Sequence, residues 1–459
     1  MPAVTTACLM TPIGVLQGIY AKYFGLSLTA IATVVLFSRL FDAITDPLVG
    51  YYADRCYQRT GTYKPFILAG GLLFIISSYY LYTPPQGVSI IYFTGWFFLF
   101  YLAWTMFEMP HLAWGSELTH SSEEKTRIFS FRNGASYVGW IIFYIIPLLP
   151  IFDSHAVTPK ILNVTVIVGG ILMLPFLWFF IKTEFNVNYK LDSSNDLPTS
   201  LKKNSLAQRQ GLYQFSLNVI KNKPLLNYLI AFFLLYMASG MWYSLIFLYV
   251  DAYLGLGEQY AKIFLLAFII SVAATPLWYK LAVRWGKRNV WAISTVLTTG
   301  SFIYTGFLSP ESGGFTELFL LKTIQTLGFS CTAMIAPAML SEIIDYSQWK
   351  YRTDKSATYF SIHAFMTKSA GAVATALGLA IAGLYGFDAT LISHSAESVF
   401  GMKLAISWLP PVFSGLALVF ICLSPITEYR HRIIRCRLDA RVSRSRRDTD
   451  TNEVSMFVP

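Results

Sequence analysis

The chain has 459 residues, of which 55% are hydrophobic, 16% aromatic and only 13% charged, and its mean hydropathy of +0.51 excludes a soluble globular protein of this length. Its formal net charge of +10 does not indicate nucleic-acid binding, because the Lys and Arg residues lie in short segments between apolar runs and near the end of the chain. The five cysteines are scattered without a CxxC pair, so they predict neither a disulfide framework nor a metal site.

Apolar runs of about 20 residues, the length that crosses about 30 Å of hydrocarbon, recur along the whole chain. They predict an all-α polytopic membrane protein with twelve transmembrane helices. The first run has no basic stretch before it, so we interpret it as a retained helix rather than a cleaved signal. The predicted spans are 4–23, 28–53, 65–83, 90–117, 129–151, 160–182, 225–250, 260–282, 289–308, 315–346, 357–386 and 402–425.

Basic residues alternate between successive connections. Arg55, Arg59 and Lys64 follow the second span, whereas the connection at 84–89 contains no Lys or Arg. By the positive-inside rule, both termini and the long central connection are predicted to be cytoplasmic, in a plasma (inner) membrane. The predicted organisation is a first six-helix bundle at 1–183, a cytoplasmic loop at 184–223, a second six-helix bundle at 224–426 and a basic cytoplasmic tail at 427–459.

The two halves resemble each other at an offset near 229 residues, as expected of a transporter built by duplication. A proline and two arginines recur with the same spacing around the end of the second span of each half: Pro47, Arg55 and Arg59, then Pro276, Arg284 and Arg288. The charges of the second span do not recur, because Arg39, Asp42 and Asp46 correspond to Phe268, Ser271 and Thr275. A charge needed only for packing would be expected in both copies, so the difference favours a functional role.

Arg39, Asp42 and Asp46 lie on one helical face at positions i, i+3 and i+7. A charged side chain in the middle of a bilayer costs about 2.5 to 3.5 kcal/mol, so these residues require partners or a cavity. Arg39 neutralises one aspartate, which leaves one net negative charge and several oxygens, the environment that binds H⁺ or Na⁺. Thr45 and Thr105 are candidate neutral oxygen ligands of this coupling ion, and no other metal or cofactor is predicted.

Other charges in the spans predict a substrate site and a gate. Glu108 stands among aromatic residues that include Trp114, an arrangement that binds polyhydroxylated ligands. Arg132 and Lys368 would donate to the ligand or hold Glu108 in place as an ion pair. The alternative is that Glu108 pairs only with Arg132 and ties the fourth and fifth helices together. Charges at the cytoplasmic ends of the second and tenth spans are candidates for a gate: Asp54, Arg55, Glu342 and Asp345.

Two segments of the second span and the connection after it, RLFDAITDPLVGYYADR and RTGTYKPF, resemble the signature of the glycoside-pentoside-hexuronide cation symporters of the major facilitator superfamily. The segments EMPHLAWGSELT, SEIIDYSQWK and FMTKSAGA follow in the order and at the distances typical of that family. The resemblance implies the major facilitator fold, with twelve helices in two six-helix bundles that alternate access to a central substrate. By position it assigns the cation to Asp42, Asp46 and Thr105 and the sugar to Glu108 and Arg132, and it places Lys368 near both sites.

Three positions depart from the family pattern. Thr6 stands where the family has a first-helix aspartate that binds galactoside, and Leu112 replaces a pocket tryptophan. Thr45 replaces an asparagine that helps to select Na⁺, so H⁺ and Na⁺ are both candidates. These differences leave the identity of the sugar and of the ion open.

The sequence therefore predicts a monomeric secondary transporter that couples a cation to symport of a sugar or glycoside, a small-molecule substrate, across the lipid bilayer. The alternatives are a carrier of a lysolipid or an amphipathic drug, and a non-transporting membrane sensor. An enzyme is not predicted, because both aspartates of the second span are on one helix, unlike a membrane aspartyl protease, and because no GxxxxGK or GxSxG motif is present.

Overall fold

The structure, a computed structural model, describes most of the chain outside the central connection and the tail. The predicted cytoplasmic loop lies outside the described residues up to position 221, and so does most of the predicted tail. The described residues are 2–117, 122–182, 222–311, 314–351, 356–391, 393–425, 429–434, 436–438 and 440.

Helices account for nearly all of the described chain, and they group into twelve segments in the predicted order. Two of the segments, the first and the eighth, continue through a short irregular turn, at residues 11–12 and at Ala274 respectively. Their bounds are α1 Pro2–Phe24, α2 Leu28–Thr60, α3 Lys64–Tyr82, α4 Ile90–Glu117, α5 Ser122–Ile145, α6 Pro159–Lys182, α7 Lys223–Tyr253, α8 Gly257–Ala273 with Thr275–Trp285, α9 Lys287–Phe307, α10 Phe315–Tyr351, α11 Ser356–Leu384 and α12 Ala396–Cys422.

Length and hydropathy support a membrane protein. Within the described residues, nine helices are long and apolar enough to cross a membrane, and α8 adds a tenth if its two parts, bent by 43°, form one span. The segments α5 and α9 are helical but do not meet the same threshold, although the shorter helix Gly134–Leu148 of the α5 region is apolar. The all-α polytopic prediction is confirmed, while the number twelve rests on the helical segments and not on hydropathy alone.

Local sequence signals set the ends of α2, the helix that carries the charges. The hydroxyl of Ser27 caps its first turn by accepting a hydrogen bond from the backbone of Ala30 at 3.1 Å. Gly25 ends α1 and Gly61 ends α2, both with φ near +70°, a backbone conformation that glycine adopts without strain. The helix continues to Thr60, beyond the predicted end at residue 53, and contains Pro47 in its interior.

The two halves meet along three pairs of helices. The helix α2 packs on α11, α1 packs on α7, and α5 packs on α8, each pair joining one half to the other. Glycines allow close packing within the halves as well: Gly139 of α5 lies against Ala7 and the backbone of Cys8 in α1, and Gly240 of α7 faces Ala374 of α11. The main hydrophobic core crosses the boundary, because it contains buried residues of both α1 and α7.

Candidate functional site

The charged face of α2 begins with a paired arginine and aspartate. Arg39 Nη1 donates to Asp42 Oδ2 at 2.7 Å, and the guanidinium lies 4.2 Å from the centre of the Tyr101 ring of α4. Asp42 is only 5% exposed. Its second oxygen, Oδ1, is buried and has no hydrogen-bond partner among the described residues. This free acceptor is a suitable ligand for a proton or a cation.

Asp46 of the first half is paired with a charged residue of the second half. Thr105 of α4 donates a hydrogen bond to Asp46 Oδ1 at 2.9 Å, and Lys368 of α11 forms an ion pair with Asp46 Oδ2. The four charges of this group, which we call the α2 cluster, therefore sum to zero: Arg39, Asp42, Asp46 and Lys368. The expectation of one net negative charge does not hold in this conformation, because Lys368 supplies a second positive charge.

Thr45 does not contact the aspartates through its hydroxyl hydrogen. The hydroxyl donates to the backbone carbonyl of Phe41 at 3.0 Å, as threonine often does within a helix. The oxygen keeps acceptor capacity and the side chain is half-buried. A ligand role for Thr45 therefore stays a prediction, with weaker geometric support than Thr105 has.

The predicted substrate residues separate into two groups. Glu108 of α4 is buried and forms an ion pair with Arg132 of α5, which is the alternative arrangement that the sequence left open. Trp114 packs edge-on against Phe180 of α6, with ring centres 4.9 Å apart, inside the first half. Lys368 is not beside Glu108 but in the α2 cluster. The structure thus joins Lys368 to the cation residues rather than to the predicted sugar residues.

Two cavities lie between the halves. The small cavity, of about 340 Å³, is bounded by α1, α2, α4, α7 and α11 and is lined in part by Arg39, Trp104 and Lys368. The large cavity, of about 950 Å³, is bounded by α1, α5, α7, α8 and α10. Met10 and Tyr243 line both, so the cavities adjoin. Glu108, Arg132 and Trp114 are not among the lining residues of either cavity.

The predicted external end of the molecule is tied across the halves by polar contacts that the sequence analysis missed. Lys22 at the end of α1 pairs with Asp251 at the end of α7, with 2.6 Å between Nζ and Oδ2. Glu258 of α8 accepts hydrogen bonds from the Ser154 hydroxyl at 2.5 Å and from the His155 backbone at 2.8 Å. The internal repeat could have indicated this pair, because Lys22 and Asp251 are separated by 229 residues, the offset of the repeat, and so occupy equivalent positions in the two halves.

The four predicted gate residues, at the opposite end, make contacts within their own halves and, in the second half, with the tail as well. Asp54 accepts a hydrogen bond from Tyr63 at 3.2 Å, and Arg55 contacts the Tyr51 hydroxyl at 3.5 Å. In the second half, Glu342 pairs with Lys287, and Asp345 lies 2.9 Å from His431. A gating role for these residues stays a prediction.

Comparison with known proteins identifies a family match and several distant relatives. The sequence profile described as MFS/sugar transport protein matches residues 1–428. An uncharacterized symporter of Bacillus subtilis, YjmB, is 24% identical over 89% of this chain and 88% of its own. A glucuronide carrier protein homolog of Escherichia coli is 21% identical, with 92% and 90% of the two chains covered.

A third relative and a solved structure extend the comparison. The sodium-dependent lysophosphatidylcholine symporter 1 of Xenopus tropicalis is 21% identical over 96% of this chain and 90% of its own. Among solved structures, a bacterial homolog of the human lysosomal transporter Spinster superposes with a TM-score of 0.64 at 13% identity, covering 92% of this chain and 94% of that one. At this identity the structural match shows the fold alone.

Proposed function

The chain belongs to the MFS/sugar transport protein family, and on that premise we propose that it couples entry of H⁺ or Na⁺ to uptake of a sugar or glycoside. The family match confirms the resemblance seen in the sequence and makes the protein a transporter rather than an enzyme. The observation that carries the coupling proposal is the ion pair between Asp46 of the first half and Lys368 of the second. The names of the relatives, which include a symporter and a glucuronide carrier homolog, support a sugar-derived substrate.

The α2 cluster suggests how an ion would control the two halves. A cation that binds between Asp42 and Asp46 meets the positive charge of Lys368, so the ion and the lysine compete for Asp46. When the ion displaces Lys368 from the Asp46 carboxylate, one polar link between α2 and α11 is lost. Ion binding therefore changes the relative stability of the arrangements of the two halves, which is the requirement for coupling.

The ligands of the proposed ion site are all oxygens. They are the carboxylates of Asp42 and Asp46, the hydroxyl of Thr105, with Thr45 as a further candidate, and the Ala43 carbonyl, which Pro47 cannot engage because it has no N–H. Oxygen ligands suit a proton or Na⁺ equally well, so the donor set leaves both ions as candidates. We include no other metal, and the described residues contain no cluster of His, Cys, Asp and Glu suited to one.

The ion can be identified by transport under imposed gradients. In proteoliposomes of the full chain, a panel of sugars and glycosides is offered under an inward Na⁺ gradient or an inward H⁺ gradient. We expect accumulation of at least one substrate under one gradient and its collapse on addition of an ionophore for that ion. Equilibration without accumulation under both gradients would contradict the symport proposal.

The cavities between the halves are suited to a polyhydroxylated ligand. Aromatic rings of both cavities offer faces for the C–H side of a sugar ring, and hydroxyl groups such as that of Ser244 offer hydrogen bonds. We retain Glu108, Arg132, Lys368 and Trp114 as proposed substrate residues. In the present conformation Glu108 and Arg132 satisfy each other, and Lys368 reaches the small cavity directly.

Glu108→Gln tests the substrate role of the buried carboxylate. If Glu108 accepts hydrogen bonds from the sugar, the change should weaken sugar binding about tenfold or more and leave ion binding nearly unchanged. Titration of the purified variant with each ligand separates the two affinities. If ion binding weakens more than sugar binding, or if only thermal stability falls, Glu108 serves the ion or the packing of α4 on α5 instead.

A lysolipid carrier is the second candidate function. Two observations favour it: the similarity to the sodium-dependent lysophosphatidylcholine symporter, and the size and aromatic lining of the large cavity. A lysolipid carrier should transport lysophosphatidylcholine and should still do so after Glu108 is replaced. This result would distinguish it from a sugar transporter.

We also propose the orientation and state of the molecule. Both termini would be cytoplasmic and the membrane the plasma (inner) membrane, as the distribution of Lys and Arg predicts. With Lys22 and Asp251 joined at the external end, the arrangement corresponds to an inward-facing state. The functional unit would be a monomer, since each half of the central cavities comes from the same chain.

A further inference from the structure

A further cavity lies in the second half, at the end that we propose to be cytoplasmic and opposite the Lys22–Asp251 pair. It has a volume of about 330 Å³ and shares no described lining residue with the two cavities between the halves. Its walls come from the start of α7, the end of α10 and the segment that follows α12. Neither the proposed ion site nor the proposed substrate site uses this cavity.

Basic side chains from three distant parts of the chain line the cavity. Lys223 is the first residue of α7, Lys350 lies in the last turn of α10, and Arg430 belongs to the described part of the tail. We call these three residues the basic triad. No Asp or Glu is among the described lining residues, so a ligand in the cavity meets three cationic groups.

Two acids of α10 lie near the cavity but are not among its described lining residues. Glu342 forms an ion pair with Lys287, the first residue of α9, and Asp345 lies 2.9 Å from His431 of the tail. These carboxylates therefore hold α9 and the tail against α10, while the charged groups that line the cavity are basic.

The tail packs against α10 where it completes the cavity. Ile434 lines the cavity and is only 7% exposed, and the guanidinium of Arg437 lies 5.5 Å from the centre of the Trp349 ring. Arg430 Nη1 donates a hydrogen bond to the Pro425 carbonyl at 2.9 Å. Packing of the tail and this hydrogen bond together place the third cation of the triad at the cavity.

The charge and shape of the cavity suit a phosphate ester. Such a group carries about −1.5 to −2 charge at pH 7 and presents three acceptor oxygens, so donors on different sides can each engage one oxygen. A monocarboxylate brings a single charge and two oxygens and would satisfy the triad less completely. Apolar surface beside the triad offers contacts for the carbon skeleton of the ligand, from Pro224, Pro425 and Ile434.

We propose that the basic triad binds a phosphate group, presented either by the head group of an anionic lipid or by a soluble phosphate ester. Basic pockets at the cytoplasmic surface of membrane proteins are suited to lipid head groups, and a soluble ester would bring the same chemistry. Because the triad comes from α7, α10 and the tail, a bound phosphate would join these three segments. The site is separate from the cavities between the halves and goes beyond the proposed symport.

Two arms of one experiment distinguish the sources of the phosphate. In the first, the purified full chain is titrated with glycerol 3-phosphate and, for comparison, with glycerate, which carries a carboxylate instead. In the second, phosphatidic acid or phosphatidylcholine is added in a neutral detergent, and bound lipid is counted by native mass spectrometry. Binding of glycerol 3-phosphate would show that acyl chains are not required, whereas binding of phosphatidic acid alone would assign the site to a lipid.

Arg430→Gln should weaken binding of the phosphate probe about tenfold or more, as expected for loss of one charge-assisted hydrogen bond. Arg432→Gln is the matched control, because Arg432 is an exposed arginine of the same segment and is not among the lining residues. Both changes remove one positive charge from the tail, but Arg432→Gln should leave binding within about twofold. Lys223→Gln tests the site from α7, in case Arg430→Gln releases the tail, and should also weaken binding about tenfold or more.

Three results would overturn the assignment. The first is failure of both glycerol 3-phosphate and phosphatidic acid to bind. The second is equal weakening by Arg430→Gln and Arg432→Gln, which would show non-specific attraction to a basic tail. The third is binding of glycerate as tight as that of glycerol 3-phosphate. Uptake under ion gradients is measured independently, so each of these results leaves the symport proposal standing.

Discussion

Asp46→Asn is expected to abolish accumulation of substrate against its gradient while substrate exchange across the membrane continues. The change removes the carboxylate that the proposed cation and Lys368 share, so ion binding no longer competes with the link between α2 and α11. Removal of one partner of a buried ion pair typically costs about 3 to 5 kcal/mol, and Asp46 should lie toward the lower end because its side chain is 21% exposed. The internal substrate concentration should then rise only to the external value.

The measurement uses proteoliposomes with an imposed ion gradient for accumulation and a preloaded substrate for exchange. Asp153→Asn is the matched control, because it removes an exposed acid from the connection between α5 and α6 and leaves the α2 cluster unchanged. Accumulation that survives Asp46→Asn would show that coupling depends on another site. Loss of both accumulation and exchange, with a lowered melting temperature, would show a structural role.

Reversal of one charge in the Lys22–Asp251 pair is expected to open the end of the molecule that we propose to be external. In Lys22→Asp two carboxylates would face each other where an ion pair now joins α1 to α7. The Lys22 side chain is 27% exposed and that of Asp251 only 6%, so loss of this ion pair should cost more free energy than loss of a surface pair. Each 1.4 kcal/mol of that cost changes the ratio of outward to inward states about tenfold. Transport should slow because the inward-facing state becomes rare.

The double reversal, Lys22→Asp with Asp251→Lys, should restore both transport and closure. The two positions are related by the repeat offset of 229 residues, so they lie near the axis that relates the halves and offer similar surroundings to either charge. Labelling of a cysteine placed at Gln17, which lines the small cavity, reports access from outside in a variant without the native cysteines. Unchanged labelling in the single variant would contradict a locking role.

Asp388→Asn provides the control for this experiment. Asp388 lies at the same end of the molecule, but its carboxylate accepts hydrogen bonds from Thr390 of its own half, at 2.7 and 2.9 Å. Its loss should leave labelling and transport near the level of the unmodified protein. The comparison shows whether labelling responds to any change of charge at this end or only to a change at the contact between the halves.

The candidate site was predicted only in part. The sequence placed Asp42 and Asp46 on one face of a helix, and Thr105 meets Asp46 as predicted. It did not distinguish between Glu108 and Asp46 as the partner of Lys368. That choice depends on the packing of α11 against α2, between residues 322 positions apart in the chain. It also gave no reason to expect that Lys322 of α10 lies among aromatic rings of α7 and α8.

Sequence alone determined the membrane class, the order of the helices, the family resemblance and the presence of charges on one face of α2, because each of these follows from local composition, spacing or motif. Only the tertiary structure decided which charges meet: Asp46 with Lys368, Glu108 with Arg132, Lys22 with Asp251, and Lys322 with no acid among the described residues. The sequence alone shows that a charged side chain lies within a span, where it is energetically costly. Its partner, however, is chosen by the contact of helices distant in the chain, which local patterns do not encode.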